Sequence, residues 1–195
     1  NPTLRNCIFE GNRTESGNGG GLYWRGTPTL EDCIFLSNAA NGYGNETRGG
    51  GMWLSTEDLV RLTNCRFQDN FADEYYGGGY GGGFFQEGSG RVELTDCQFV
   101  ENTGENQGGG MYAYRATIID CTFLNNQSNS SGSGLYLTGG NSTITDSLFD
   151  NNTASGNGGG LYMYSGNLTI SECVFSNNTA DQGGGVYFDS TNSTM

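Results

Sequence analysis

The sequence contains no lysine and no histidine, and only eight arginines stand against 21 aspartates and glutamates. The net charge of −13 argues against binding to nucleic acid or to anionic membrane surfaces, because both partners need basic patches. General acid–base catalysis would fall to carboxylates, tyrosines and arginines alone. No carboxylate pair outside the repeat pattern stands out, and we therefore expect no enzymatic activity.

Proline, long apolar runs and a signal peptide are also scarce or missing. Two prolines occur in 195 residues, and no apolar run approaches the roughly 20 residues of a membrane span. Because the chain starts with asparagine, we interpret it as a mature or excised segment. Glycine is abundant, with 35 residues, but two Trp, eleven Tyr and eleven Phe argue against disorder.

One short motif returns seven times and organises the chain. Each copy contains a phenylalanine and, three residues later, an asparagine. The phenylalanines are Phe9, Phe35, Phe67, Phe99, Phe123, Phe149 and Phe175. The asparagines are Asn12, Asn38, Asn70, Asn102, Asn126, Asn152 and Asn178. The copies are spaced 26, 32, 32, 24, 26 and 26 residues apart, which is typical of a solenoid whose units bury apolar surface on their neighbours.

A second motif, three glycines followed by an apolar and an aromatic residue, lies between the copies of the first. It occupies residues 19–23, 49–53, 81–85, 108–112, 158–162 and 183–187, with a weaker copy at 132–136. Helix signals are nearly absent, and short strands separated by bends predict parallel pairing between successive repeats. The sequence therefore predicts an all-β fold, a parallel β-helix of about seven coils that forms one domain over residues 1–195.

The asparagines and cysteines of the repeat are expected to form two columns along the axis. Stacked asparagine amides would bond to one another and satisfy buried polar groups. Cys121 and Cys173 are two coils apart, about 9.6 Å, which exceeds the roughly 7 Å limit for a disulfide. We favour a buried ladder of free thiols, although one or two bridges between adjacent coils stay open. The column contains Cys7, Cys33, Cys65, Cys97, Cys121, Ser147 and Cys173.

The combination of Phe-x-x-Asn with a glycine triplet resembles the repeats of chlamydial polymorphic outer-membrane proteins and, more widely, β-helix repeats of surface adhesins. The first motif matches in all seven copies. The second departs from that family, which has Gly-Gly-Ala before the aliphatic residue where this chain has a third glycine. The resemblance covers essentially the whole chain and implies a right-handed β-helix with a surface, adhesive or scaffolding role.

The aromatic residue after each glycine triplet forms a candidate interaction surface, here called the aromatic column. It consists of Tyr23, Trp53, Phe85, Tyr112, Tyr136, Tyr162 and Tyr187. Strand alternation places the preceding apolar residue inside and the aromatic outside. An exposed column would exceed the apolar surface usual for a monomer and would contact another protein or stack on sugar rings. A self-stacking ladder covered by loops, or an inverted register, are the alternatives.

Acidic residues predict a candidate metal site. Asp96, Asp120, Asp146 and Glu172 occupy the same bend in four successive coils. Carboxylates about 4.8 Å apart either share protons or recruit a cation, and oxygen ligands suit Ca²⁺. We expect no cofactor apart from this structural Ca²⁺, and the alternative is that these carboxylates are ordinary solvated bend residues.

Nine Asn-x-Ser/Thr sequons indicate a glycosylated, secreted protein. Asn12 and Asn126 belong to the inward ladder and are expected to stay unmodified. The predicted glycosylation sites are Asn45, Asn129, Asn141, Asn151, Asn167, Asn177 and Asn192. The alternative is that asparagine, serine and threonine merely build the coils.

These observations predict an extracellular or cell-surface β-helix with a structural or adhesive role. The chain begins and ends mid-repeat, so we expect either a segment of a longer solenoid or a subunit that stacks into a filament through open ends and the aromatic column. Its partners would be further copies or another extracellular protein. The alternative is a polysaccharide-binding or carbohydrate-active β-helix, whose site would lie where coils two and three carry insertions. Those insertions are residues 41–48, 55–61, 71–76 and 86–91.

Overall fold

A computed structural model describes residues 2–42, 47–74 and 78–189, which form seven stacked coils. These residues contain 29 short strands and no helix, so none of them lies in a helix that could cross a membrane. Every pairing among them is parallel and joins equivalent residues of successive coils, as with Phe67 and Phe99. The predicted parallel β-helix is confirmed.

Each of the first six coils contributes one strand to each of four sheets, here numbered in chain order, and coil seven contributes one to every sheet except the third. The first sheet contains β1 (Thr3–Arg5), β5 (Thr29–Glu31), β10 (Leu59–Thr63), β15 (Arg91–Thr95), β19 (Arg115–Ile119), β23 (Asn141–Thr145) and β27 (Asn167–Ser171). The second sheet contains β2 (Ile8–Glu10), β6 (Ile34–Leu36), β11 (Arg66–Gln68), β16 (Gln98–Val100), β20 (Thr122–Leu124), β24 (Leu148–Asp150) and β28 (Val174–Ser176).

The third sheet, which the sequence did not predict as a separate layer, has mostly two-residue strands. It contains β3 (Arg13–Thr14), β7 (Ala39–Gly42), β12 (Phe71–Glu74), β17 (Thr103–Gly104), β21 (Gln127–Ser128) and β25 (Thr153–Ala154). The fourth sheet contains β4 (Leu22–Arg25), β9 (Met52–Ser55), β14 (Phe84–Glu87), β18 (Met111–Ala113), β22 (Leu135–Leu137), β26 (Leu161–Met163) and β29 (Val186–Phe188). In coils two and three, β8 (Thr47–Arg48) and β13 (Gly79–Tyr80) form an additional pair.

Two left-handed residues per coil turn the chain on either side of the second sheet. The first lies directly before the cysteine column, with φ of 50–55° at Asn6, Asp32, Asn64, Asp96, Asp120, Asp146 and Glu172. The second lies directly before the repeated asparagine, with φ of 53–63° at Gly11, Ser37, Asp69, Glu101, Asn125, Asn151 and Asn177. Asparagine, aspartate and glycine tolerate this conformation best, which explains their frequency at the two bends.

The seven repeated phenylalanines form the centre of the core. Their rings stack nearly parallel, with centroids 4.6–4.9 Å apart between successive coils. Those of the five inner coils are fully buried. Phe84 tilts against Phe67 at 5.9 Å and connects this stack to the fourth sheet. Each repeat of the sequence therefore adds one phenylalanine to a continuous apolar core.

The predicted asparagine ladder is confirmed in every coil. From Asn12 to Asn152, the side-chain Nδ2 of each asparagine donates to Oδ1 of the next at 2.9–3.0 Å. The same Oδ1 also accepts from the backbone N–H of the donor residue. From Asn38 onward, Nδ2 also donates to the carbonyl of a phenylalanine one coil back, as Asn126 does to Phe99 at 2.9 Å. The ladder thus satisfies buried polar groups with one side chain per coil.

The six cysteines are free thiols, as favoured from the sequence. The four inner ones are buried, and Ser147 takes the missing place by donating to Thr145 O at 2.8 Å and accepting from the Cys121 amide at 3.1 Å. Burial raises the pKa of the Cys33 thiol. Contacts with the neighbouring thiols of Cys121 and Cys65, together with burial, raise the pKa of Cys97. These two cysteines therefore act as small, neutral core residues.

Each glycine triplet lies where the fourth sheet packs against the third, as residues 108–110 of coil four illustrate. Gly108 has a φ of +67°, a conformation that favours glycine. A Cβ on Gly109 would lie 2.2 Å from the carbonyl oxygen of Gln127. A Cβ on Gly110 would lie 2.6 Å from the Gly134 oxygen and 3.1 Å from Cγ of Asn126. Because the triplet has no side chains, its backbone packs directly against the backbone of the next coil and against the asparagine ladder.

Candidate functional site

The aromatic column is a covered stack instead of the exposed surface that strand alternation predicted. Tyr23 is 46% exposed, but Trp53 is 2% exposed and Phe85, Tyr136 and Tyr162 are also buried. Tyr112 and Tyr187 are half-buried. Ring centroids lie 4.2–5.3 Å apart in the stacked pairs Tyr23–Trp53, Phe85–Tyr112, Tyr112–Tyr136, Tyr136–Tyr162 and Tyr162–Tyr187. The expectation of seven exposed rings is wrong, and the self-stacking alternative is correct.

Side chains from neighbouring strands cover this stack. The guanidinium carbon of Arg25 lies 5.7 Å from the Tyr23 ring centre and 5.8 Å from that of Trp53. In coil three, Tyr80 from the additional strand β13 packs edge-on against Phe85 and Tyr112, with centroids 6.4 and 5.7 Å away. Residues outside the repeated columns therefore shield rings that alternation alone would leave in solvent.

Burial also changes the acidity of the tyrosines in the column. It raises the pKa of Tyr136 above its usual range. The pKa of Tyr162 is raised to about 12, mainly by burial and secondly by the hydrogen bond that its hydroxyl donates to Asp189 at 3.2 Å. Both hydroxyls stay neutral at physiological pH. Neither tyrosine is suited to serve as a general base there.

The insertions of coils two and three border a shallow depression of about 240 Å³. Its lining combines aromatic rings with an arginine and an amide: Arg48, Tyr80, Phe85, Gln107 and Tyr112. Arg48 lies 5.3 Å from the Phe85 ring centre and pairs with Glu87 at 3.0 Å. Sequence reasoning located the region through its insertions but missed Arg48, Tyr80 and Gln107, because none belongs to a repeated column.

The acidic row occupies the predicted bends but does not form a metal site. Asp96, Asp120, Asp146 and Glu172 are all exposed and lie at the left-handed residue before the second sheet. In the described part of the chain, no three acidic or cysteine side chains converge to hold a metal ion. The structure therefore provides no ligand set for the predicted Ca²⁺, because successive carboxylates extend into solvent instead of toward a common point.

Five of the predicted glycosylation sites are exposed: Asn129, Asn141, Asn151, Asn167 and Asn177. Asn45 and Asn192 lie outside the described residues. Asn126 is fully buried within the ladder, where its side chain is inaccessible. Asn167 Nδ2 donates to Asn141 Oδ1 at 3.1 Å, so these two sites are direct neighbours in adjacent coils. Glycosylation of the exposed sites stays a prediction.

When the protein is expressed in a eukaryotic secretory pathway, we expect glycans at Asn129 and at one asparagine of the Asn141–Asn167 pair in each molecule. The two amides are too close for two core glycans. Enzymatic deglycosylation followed by peptide mass spectrometry would count aspartates formed at each site. Asn126 serves as the internal control, and a glycan there in folded protein would contradict the buried ladder.

Comparison with known proteins gives one family. The sequence model described as "right handed beta helix region" matches residues 1–127 and 106–195, which together cover the whole chain. No curated protein matches the chain, and no solved structure matches it either.

Proposed function

Because the chain belongs to the right-handed β-helix family, we propose that it is an extracellular structural or adhesive rod of a cell-surface scaffold or filament. The resemblance to chlamydial polymorphic outer-membrane proteins supports a surface location. Exposed sequons and the acidic surface support a secreted protein. We propose no catalytic role, since the chain lacks histidine and lysine and its carboxylates repeat from coil to coil.

The direction of the asparagine ladder is the observation that carries this proposal. Each asparagine donates toward higher coil numbers, and Asn178 in coil seven accepts both bonds from Asn152. An asparagine of a further coil would accept from Asn178 in the same way, and Asn12 would accept from a coil placed before it. The two ends of the stack are therefore complementary, which suits the addition of coils in register.

The core columns are less covered in coils one and seven than in the coils between them. Phe9 in coil one and Phe175 in coil seven are half-buried, whereas the equivalent phenylalanines of the five inner coils are fully buried. Leu4 and Ile170 are also half-buried, whereas their register partners Leu30 and Ile144 are fully buried. Contact with a further coil would bury these side chains and continue the phenylalanine stack. The aromatic column contributes little to lateral contact, because most of its rings are already covered.

Electron microscopy of the purified chain tests the filament. We expect fibres whose axial repeat is near that of seven coils, about 34 Å at 4.8 Å per coil. Isolated rods at high protein concentration would overturn end-to-end assembly of this chain. Fibres should shorten when Phe175 is changed to serine. Ser176→Ala serves as a control on the same strand, because it removes a half-buried hydroxyl that bonds to Asp150 at 2.8 Å and lies outside the core.

Polysaccharide binding is the second candidate function, and the depression beside Arg48 favours it. Rings, a guanidinium and an amide are the groups that stack on sugars and bond to their hydroxyl or carboxylate groups. Isolated rods that bind oligosaccharides, with binding lost in Tyr112→Ala, would favour this candidate over the filament.

A further inference from the structure

The outer side of the second sheet differs between the two halves of the rod. In coils four to seven, strands β16, β20, β24 and β28 each present two residues outward, on either side of the inward phenylalanine. Four aliphatic side chains run obliquely across this face, here called the aliphatic diagonal: Val100, Leu124, Leu148 and Val174. Val100 and Leu124 are register partners, and so are Leu148 and Val174. Val174 is exposed, Leu124 and Leu148 are half-buried, and Val100 is buried.

A row of carboxylates borders the aliphatic diagonal along one side, here called the acidic edge: Asp96, Asp120, Asp146 and Glu172. Each is exposed and lies two residues before the first outward residue of its strand. Glu101 is exposed at the opposite bend, and Asp150 lies within the face itself. All eight arginines lie at or before Arg115, which is on the first sheet, so the face carries six carboxylates and no basic residue.

Coils one and two also present aliphatic residues on this face, at Ile8, Ile34 and Leu36, but coils one to three lack a continuous row of carboxylates. Arg66 lies on the outer face of β11, and asparagine replaces the carboxylate at Asn6 and Asn64. Asn64 Nδ2 donates to Asp32 Oδ1 at 2.7 Å, so a carboxylate there already has a partner. An unbroken acidic row beside aliphatic side chains is thus a local property of coils four to seven and is not imposed by the repeat.

We propose that the acidic edge and the aliphatic diagonal together form a docking surface for a cationic amphipathic segment of another protein. Lysine or arginine side chains would pair with the acidic edge while leucine-like side chains cover the diagonal. Four coils span about 14 Å at 4.8 Å per coil, which matches a helix of about ten residues at 1.5 Å per residue. The proposal extends the adhesive role by naming its partner's chemistry and does not depend on fibre formation.

Charge selects this occupant over the alternatives. A second copy of the face would bring six more carboxylates against the first six, and an anionic membrane would be repelled in the same way. Carboxylates repeated at the coil spacing also repel one another along the acidic edge. A basic partner relieves this repulsion, and salt should weaken its binding because the charges are exposed.

The test uses the full chain made in bacteria, because glycans on Asn151 or Asn177 would border the face. The probe is a labelled 14-residue peptide with leucines on one helical side and lysines flanking them. Fluorescence anisotropy should show saturable binding that weakens as sodium chloride rises from 50 to 300 mM. A scrambled peptide of the same composition should bind at least about tenfold more weakly, since it keeps the charge and loses the apolar side.

Neutralising the acidic edge provides the matched variants. The triple variant D120N/D146N/E172N should lower the peptide affinity at least about tenfold. Asparagine is compatible with this bend, because Asn6 and Asn64 occupy it in coils one and three. The control triple variant, E15Q/D58N/D181N, removes the same number of negative charges at exposed positions away from the face. It should alter the peptide affinity by less than about twofold.

Two results would overturn the proposal. Equal weakening by the two triple variants, or equal binding of the scrambled peptide, would show unspecific attraction to an acidic protein. Failure of the peptide to bind, combined with a concentration-dependent dimer that Leu148→Thr abolishes in sedimentation, would identify a second copy as the occupant. Neither outcome bears on fibre formation, which electron microscopy tests separately.

Discussion

Replacing Asn126 with alanine is expected to lower the free energy of unfolding by about 4 kcal/mol, a large effect for a single side-chain truncation. Its Nδ2 donates to Phe99 O and to Asn152 Oδ1, and its Oδ1 accepts from the amide and the side chain of Asn102. The truncation leaves several of these buried groups without a partner, and each costs about 1–3 kcal/mol, less when they share one cavity. Denaturant unfolding followed by circular dichroism measures the change.

The neighbouring residue supplies the control for Asn126. Gln127 follows it directly and is exposed, so Gln127→Ala keeps the backbone pairing of β21 and should change stability by less than about 0.5 kcal/mol. Because repeat proteins are stabilised by contacts between neighbouring units, Asn126→Ala should also make coils one to four and coils five to seven unfold in two distinct transitions. Equal, small effects of both variants would show that the ladder contributes little to stability.

The second large effect is expected at Gly110, where alanine should destabilise the protein by at least about 3 kcal/mol or prevent folding. The added Cβ would lie 2.6 Å from the Gly134 oxygen, which already accepts from the Met111 amide at 3.1 Å. It would also press on the Asn126 side chain. Since a backbone atom cannot move away as a flexible side chain can, coil five must shift. Thermal unfolding and the yield of folded protein measure this.

Gly11→Ala separates this steric effect from the conformational preference of glycine. Gly11 has a φ of +63°, and a Cβ there would meet no atom within 4 Å. Alanine should cost only about 1 kcal/mol, the penalty of the left-handed conformation. Ser37 and Asn125 occupy the same bend in other coils, which shows that side chains fit there. If Gly110→Ala were no worse than Gly11→Ala, the close packing of the triplets would not limit stability.

The ladders could be predicted from the sequence because they depend only on the repeat. Once the coils stack at one residue per column, identical residues such as Phe99 and Phe123 must meet, and so must Asn102 and Asn126. The exact left-handed residue was harder to place. The sequence suggested a bend at Asn126, whereas the structure turns at Asn125, and serine or glutamate fills that position elsewhere.

The environment of the aromatic column could not be predicted, because alternation states only which side of a strand a residue takes. Whether Trp53 or Phe85 meets solvent depends on groups from outside the repeat, such as Arg25 and Tyr80. The same limit applies to the acidic row. The repeat correctly places Asp120 and Asp146 at equivalent positions of adjacent coils. Whether two such carboxylates bind one ion depends on the direction of their side chains, which the repeat does not determine.

The hydrogen bonds between successive coils also determine how the rod would yield to mechanical load. Strands lie across the axis, so a pull on the two chain ends along the axis opens the ladders one coil at a time instead of shearing them together. Each coil of 24 to 32 residues would release about 80–110 Å of extended chain. Under tension the molecule should therefore lengthen in successive steps from its ends, absorbing work gradually while the inner coils stay intact.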